Sequence, residues 1–374
     1  MENAENNVDS TNSKFVEFWV PVPISNVQLE QYCATLLSND TALHTNSRSD
    51  TLGALKDLFV TIRKCCNHPY TVDLKVEQSL IKDKDPSMAV DVGVEASGKL
   101  RFLDRVLPEI QKQQWKVLIL FQPTSGVSSG NPSLGNLLVE FVIQRFGENS
   151  YEHVDGVPTI SSKKQAAINM FNKDMTKFIF LLESRVFPQS IKLSSVDAII
   201  IFDSELNPSN DLKSLQKLSI GSQSEQIMVF RLYSLSTVEE KILKLAEINV
   251  VLDVKSQSLR SNYDALLVWG ASDLFDKLTK FHSQTVVNIS SEESFLKDVV
   301  EDFLYILSHK CKSNDTTSKS IITRVQNTLL HAEVKTHLPD GDQQYIFWKK
   351  TIGGTVSSME ICISIDPAAS KKKT

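Results

Sequence analysis

Four short runs of continuous apolar residues constrain this chain more than any other feature: "KVLILFQ" (116–122), "KFIFLLE" (177–183), "DAIIIFD" (197–203) and "QIMVFRLY" (226–233). None alternates apolar with polar residues, so none reads as a strand with one face in water; each reads as a strand buried on both faces. Helical patterns are interleaved with them, in "GNLLVEFVIQRFG" and "SSKKQAAINMFN", and "STVEEKILKLAEINVVL" follows the last. Buried strands separated by helices predict an α/β domain over 96–252, a parallel sheet covered by helices on both faces. About 150 residues is the size of one doubly wound unit.

The flanks read differently. Residues 1–13, rich in Asn, Glu and Ser, predict a disordered leader. The segment 14–95 reads as a mostly helical region preceding the domain. In it "FVEFWVPVPIS" is an extended edge segment because of its prolines. "NVQLEQYCATLLSN" and "TLGALKDLFVTIRKCCNHP" are amphipathic helices, the second stopped by Pro69. From Leu74 to Gly98 the periodicity fades into a loop or linker, and "ASGKLRFLDRVLPEIQKQ" opens the domain as a helix. Residues 253–374 are expected to form a mostly helical extension and tail. There "SSEESFLKDVVEDFLYILSHK" offers Ser290 and Glu293 as a capping box, and Phe295, Val299, Phe303 and Ile306 as an apolar face for packing on the domain, with a partner protein as the second reading.

Composition removes several function classes. A formal charge of −5 from 40 basic and 45 acidic residues is not that of a broadly basic nucleic-acid-binding protein, so any DNA contact is local, weak and non-specific. Five cysteines lack paired CxxC spacing, which points to reduced, buried thiols of the cytosol or nucleus and to no zinc site. No run approaches the roughly 18 apolar residues of a membrane span, so no membrane partner is expected. The nearest approach to a phosphate-binding loop is "GNPSLGNL", where Gly130 and Gly135 have the required separation but Asn136 and Leu137 replace the lysine and hydroxyl residue. Neither a nucleotide cofactor nor a metal is expected. His68, with no second ligand at metal spacing, reads as a packed histidine closing a helix before proline, and Asp203 as a turn residue at a strand end.

Six collinear segments carry a resemblance: "RKCCNHPY" (63–70), "SGKLRFLDRVLP" (97–108), "VLILFQ" (117–122), "VDG" (154–156) with "AINMFN" (167–172), "AIIIFDSELNPSNDL" (198–212) and "VFRLYSLSTVEEKIL" (229–243). They resemble, in order, the C-terminal RecA-like lobe of Snf2-type chromatin-remodelling ATPases, and "ALLVWGASDLF" (265–275) is similar to a segment that follows the motor in the CHD3-like branch. In that family this lobe supplies arginines that stabilise charge developing on the γ-phosphate of ATP held against a first lobe. The family pattern Arg-x-x-Arg-x-Gly-Gln is here "KLSIGSQ", with Lys217 and Ile220 at the two arginines, Ser222 at the glycine and Gln223 at the glutamine. A second motif, Ser-Thr-Arg-Ala-Gly-Gly-Leu-Gly-Ile-Asn-Leu, is here "ESRVFPQSIKL": Arg185 is kept, Phe187, Pro188 and Ser190 stand at the glycines, and Lys192 at the asparagine.

Lysine keeps a charge but loses the planar fork of arginine, and isoleucine cannot contact a phosphate. Preserved framework with altered motifs is similar to the partial Snf2 region of the plant transcriptional silencing family called Morpheus' molecule. That resemblance implies a nuclear, non-catalytic chromatin scaffold that silences heterochromatic repeats and transposons through chromatin-associated partners, SUMO-ligase-like proteins among them. Two alternatives stay open: the second lobe of a working ATP-dependent remodeller whose first lobe lies elsewhere, and a passive nucleic-acid-binding module using Arg185, Lys192 and neighbouring lysines.

Overall fold

Among the described residues nine strands organise the fold: β1 (Phe15–Val22), β2 (Val117–Phe121), β3 (Tyr151–Val154), β4 (Ile179–Glu183), β5 (Lys192–Leu193), β6 (Ala198–Ile201), β7 (Ser219–Ile220), β8 (Ile227–Ser234) and β9 (Thr323–Arg324). The computed structural model describes residues 14–44, 51–123, 130–156, 161–184, 191–222, 226–248, 259–283, 287–309 and 320–325. The leader 1–13, the "HLPDGDQQYIFWKKTIGG" stretch and the lysine-rich tail lie outside these residues.

The main sheet has the order β3-β4-β2-β6-β8-β1-β9, and every pair is parallel except β1 with β9. The four apolar runs are β2, β4, β6 and β8, and the residues of β2 and β6 are buried throughout. Alternate side chains divide between two faces. Val117, Ile119, Phe121, Ile200 and Phe230 join one core with the helices Gly98–Lys112, Leu134–Phe146 and Val287–His309. Leu118, Leu120, Phe180, Ile199 and Val229 join another with the helices Ser161–Lys173, Pro208–Gln216 and Val238–Glu247. This is the doubly covered parallel sheet that the apolar runs predict. A third cluster, without strands, gathers the helices Asn26–Ser38, Thr51–Asn67, Leu259–Val268 and Ala271–His282 around Tyr32, Phe59 and Leu266.

Several local expectations give way to tertiary context. β1 is an inner strand, paired with β8 along its whole length and with β9 at Phe18 and Trp19. Its prolines are compatible with this position. The carbonyl of Val22 accepts from Leu235 N–H on the β8 side, whereas that of Glu17 accepts from Val325 on the β9 side. The alternation places Pro21 on the β9 side, past the end of β9's pairing, so its missing N–H removes no ladder bond. The segment expected to precede the lobe therefore contributes a strand to the lobe's own sheet.

Residues 74–98 are not a loop: Leu74–Ile81 and Ala89–Glu95 are helices. The first rests on an Asp73 cap and buries none of its residues fully. Ser290 is not an N-cap, because the helix already begins at Val287. Glu293 instead pairs with Arg101 and Arg105 on the neighbouring helix. The expected apolar face does pack on the sheet: Val299 and Phe303 are fully buried, and the Phe303 ring lies 4.3 Å from Phe230 and 5.3 Å from Phe102.

Candidate functional site

Motifs far apart in sequence meet at the carboxyl end of β6. Lys99, from "SGKL", has a side chain with no exposure, and its ammonium donates to three acceptors at 2.8 Å: Asn67 Oδ1 from "CNHP", the Phe202 carbonyl at the end of "AIIIF", and Glu239 Oε1 from "TVEEKIL". All three donors of the ammonium are used, and Glu239 Oε2 accepts from Ser234 N–H. A buried charge is tolerable only with such complete pairing. The point ties three helices to the end of a central strand, so these motifs act here as structure.

Next to Asn67, His68 is fully enclosed. Its Nδ1 accepts from Tyr70 N–H and its Nε2 faces the Gly93 carbonyl at 3.0 Å. Since an amide must donate and a carbonyl must accept, the proton sits on Nε2. Burial pulls the imidazole down to about 4, with the Gly93 bond opposing. The histidine is the packed corner that its sequence context predicts. Cys33, Cys65 and Cys66 are free and buried, as expected of core thiols, and burial pushes Cys33 up to about 12.

A second buried network lies one strand further. Arg231, on β8 and wholly buried, reaches Glu17 Oε1 on β1 and Asp211 Oδ2 on the helix Pro208–Gln216, both at 2.5 Å. It also donates to Ser204 Oγ and the Pro208 carbonyl at 3.0 Å. Asp211 accepts further from Glu205 N–H and from Gln122 Nε2, so the turn "DSELNPSND" is built around this carboxylate. Burial raises Asp211 to about 6 against the pull of Arg231. Sequence reasoning misses Arg231 and Glu17, because only the β1–β8 pairing brings them together. Asp203 is a turn residue with one added task, an ion pair to Arg63 at 3.2 Å.

The two segments compared with the family's motifs form the small parallel sheet, in which Lys192 pairs with Ser219 and Leu193 with Ile220. Lys192 is exposed; its carbonyl accepts from Asn172 Nδ2. Ile220 is 4% exposed and belongs to the core with Leu193, Val196, Leu215 and Leu218. Lys217 is exposed and caps the helix Pro208–Gln216 through its own backbone N–H to Ser214 and Leu215. Of the two residues that the resemblance sets against the family's arginines, Ile220 is therefore turned into the core and Lys217 toward solvent. Gly221 is needed on steric grounds, since its N–H donates to Leu193 and a Cβ there would meet the Ser194 carbonyl at 2.3 Å. Arg185 and Gln223 lie outside the described residues. At the false phosphate-binding loop, Ser133 caps the helix Leu134–Phe146 by accepting from Asn136 N–H. No cluster of three metal-type ligands occurs among the described residues, and no described helix is long and apolar enough to cross a membrane.

A mostly parallel sheet covered by helices on both faces, with Asn67, Lys99, Phe202 and Glu239 joined at its carboxyl edge, is the α/β fold that the resemblance to Snf2-type C-terminal lobes leads one to expect. Sequence similarity is in accord. The chain is 31% identical over 268 residues to Protein CHROMATIN REMODELING 4 of Arabidopsis thaliana, covering 70% of this chain and 11% of that protein. It is 30% identical over 271 residues to human chromodomain-helicase-DNA-binding protein 7, covering 70% of this chain and 8% of that one. The chain thus spans about a tenth of the length of these curated relatives. A chain solved in structural and functional studies of the yeast class II Hda1 HDAC complex shares the fold, with a TM-score of 0.53 at 16% identity over 90% of this chain and 98% of its own length. No protein-family model matches. The region is homologous to the C-terminal lobes of chromatin remodellers.

Proposed function

We propose that this chain is a non-catalytic Snf2/CHD-like chromatin protein of the nucleus, a scaffold in transcriptional silencing of heterochromatic repeats and transposons that works through chromatin-associated partners, SUMO-ligase-like proteins among them. The observation that carries the reading is the position of Ile220, locked in the core where the family pattern has an arginine. An arginine finger contributes about 10³–10⁵ in rate, and neither a buried isoleucine nor a lysine at Lys217 supplies its planar fork. The framework, by contrast, is fully engaged: Lys99, Asn67, Glu239, Asp211 and Arg231 all spend their polar groups on holding the lobe together. A lobe so built supports presentation of a surface better than phosphoryl transfer.

Genetic complementation tests this. In cells lacking the protein, the scaffold reading expects Lys217→Ala to restore repression of a silenced repeat reporter as fully as the unmodified gene. Failure of that variant at normal protein level favours the second lobe of a working remodeller, the reading that the homology to remodellers keeps open.

A further inference from the structure

The segment "ALLVWGASDLF" (265–275) takes no part in the two buried polar networks; it forms a corner. The helices Leu259–Val268 and Ala271–His282 meet there, at Trp269 and Gly270. Among the described residues, none of either helix belongs to the two cores that flank the sheet. Both enter only the third cluster, the one without strands, where Leu266, Leu274 and Phe275 join Leu36 and Phe59, and the Tyr263 ring lies 5.2 Å from that of Phe59. The pair therefore rests on the helices Asn26–Ser38, Thr51–Asn67 and Val238–Glu247 and not on the sheet.

Three unfavourable features converge on the corner. Gly270, left-handed at φ +69°, lies so close to the turn before Val238–Glu247 that a Cβ would meet the Ser236 carbonyl oxygen at 1.9 Å. Ser236 is left-handed as well, at φ +58°, a conformation that is unfavourable for a residue with a Cβ unless its surroundings enforce it. Its N–H donates to Glu240 Oε2 at 2.7 Å and its Oγ to Asp273 Oδ2 at 2.5 Å, on the second helix of the pair. Trp269 Nε1–H is buried with no hydrogen-bond partner among the described residues, a state that folded chains ordinarily avoid. Two ammoniums share the Trp269 ring, Lys241 at 4.7 Å and Lys244 at 4.5 Å. Burial, and then Lys244, pulls Lys241 below its ordinary value, and of the two only Lys244 has a counter-ion among the described residues, Glu240 at 2.7 Å.

Lifting the two helices would relieve all three: Ser236 returns to an ordinary φ, the indole N–H meets water, and the ammoniums part from one ring. The polar ties across the seam, Ser236 with Asp273 and His282 with Glu30 at 3.5 Å, are surface pairs that hold little, so apolar burial alone keeps the seam closed. Strain gathered at one seam, over an element that shares no core with the sheet, marks a unit with two positions. We propose that the helices Leu259–Val268 and Ala271–His282 form a sprung latch, which opens as one unit at the Ser236–Gly270 contact while the sheet stays folded, and bares the apolar face of Asn26–Ser38 and Thr51–Asn67. The latch stands whether or not the lobe hydrolyses ATP.

Amide hydrogen exchange of the full chain, read by mass spectrometry, tests the proposal. Peptides from 263–282 should exchange about tenfold or more faster than those of β2 and β6, and the two helices should respond to each variant by the same factor. Ser236→Gly and Ser236→Ala both remove the hydroxyl, but glycine adopts the left-handed turn freely. Exchange over 263–282 should therefore be about fivefold slower in the glycine variant than in the alanine variant. Gly270→Ala should speed that exchange about tenfold or more and leave β2 and β6 unchanged. Circular dichroism identifies an unfolded Gly270→Ala chain; the comparison of glycine with alanine at 236 then decides alone. Equal exchange in the two 236 variants, different factors for the two helices, or acceleration of β2 and β6 alongside them overturns the proposal.

Discussion

Replacing Lys99 by methionine should be among the most damaging single changes in this protein. The variant keeps the length and most of the apolar stem but removes an ammonium that serves Asn67 Oδ1, the Phe202 carbonyl and Glu239 Oε1, each at 2.8 Å. Glu239 is left with a side chain 9% exposed and no direct ion pair, only the more distant Arg63 opposing its charge. Removing one member of a buried pair costs about 3–5 kcal/mol, because the other charge stays desolvated. That is a large part of the roughly 5–15 kcal/mol that holds a domain folded. Urea denaturation followed by circular dichroism reads it directly. With a slope of about 2–3 kcal/mol per M, the midpoint should fall by about 1–2.5 M. Glu239→Gln removes the orphan charge and can still accept from Ser234 N–H, so the double variant should lose less than the sum of the singles, with a coupling of about 1–3 kcal/mol. A loss below about 1 kcal/mol for Lys99→Met, or strict additivity in the double variant, would refute the view that these motifs act as a structural lock.

Other consequences follow from the same geometry. Ile220→Arg, which restores the family residue, should destabilise the lobe by about 3 kcal/mol or more, because a guanidinium would enter a core with no partner; thermal melting checks this. Gly221→Ala should also destabilise, since a Cβ meets the Ser194 carbonyl at 2.3 Å, and a melting temperature equal to that of the unmodified chain would contradict the stated packing of the small sheet. His68 has a folded pKa of about 4, below its ordinary 6.5, so the unfolded state binds the proton first as pH falls. Its contribution is present above pH 6.5 and is lost as pH falls toward 4, by up to roughly 3 kcal/mol. The difference in stability between the unmodified chain and His68→Gln, measured from pH 7 to pH 4, should shrink over that window.

What the sequence reveals and what it hides follow from range. Continuous apolar runs have only one comfortable place, the middle of a doubly covered sheet, so β2, β4, β6 and β8 are legible from local pattern. β3 is not, because "YEHV" lies at the sheet edge with three of its four residues only half-buried and shows no apolar run. β1 reads as an edge because its prolines dominate the local signal, while its place depends on which side each backbone group faces. The capping box at Ser290 is overridden by Glu293, which Arg101 and Arg105 draw across to another helix. At the site, Lys217 and Ile220 are legible in the sequence only through the resemblance that sets them against arginines. That Ile220 is a core residue is not, since it depends on the pairing of β7 with β5. The Arg231 network is invisible for the same reason: Glu17, Asp211 and Arg231 meet only when β1 docks beside β8.

The central claim, that the lobe has exchanged phosphoryl transfer for scaffolding, is tested most directly by ATP turnover of the full-length gene product, with and without DNA. The account predicts no turnover above background in either condition, and no change on Lys217→Ala. DNA-stimulated hydrolysis that disappears in Lys217→Ala would contradict it.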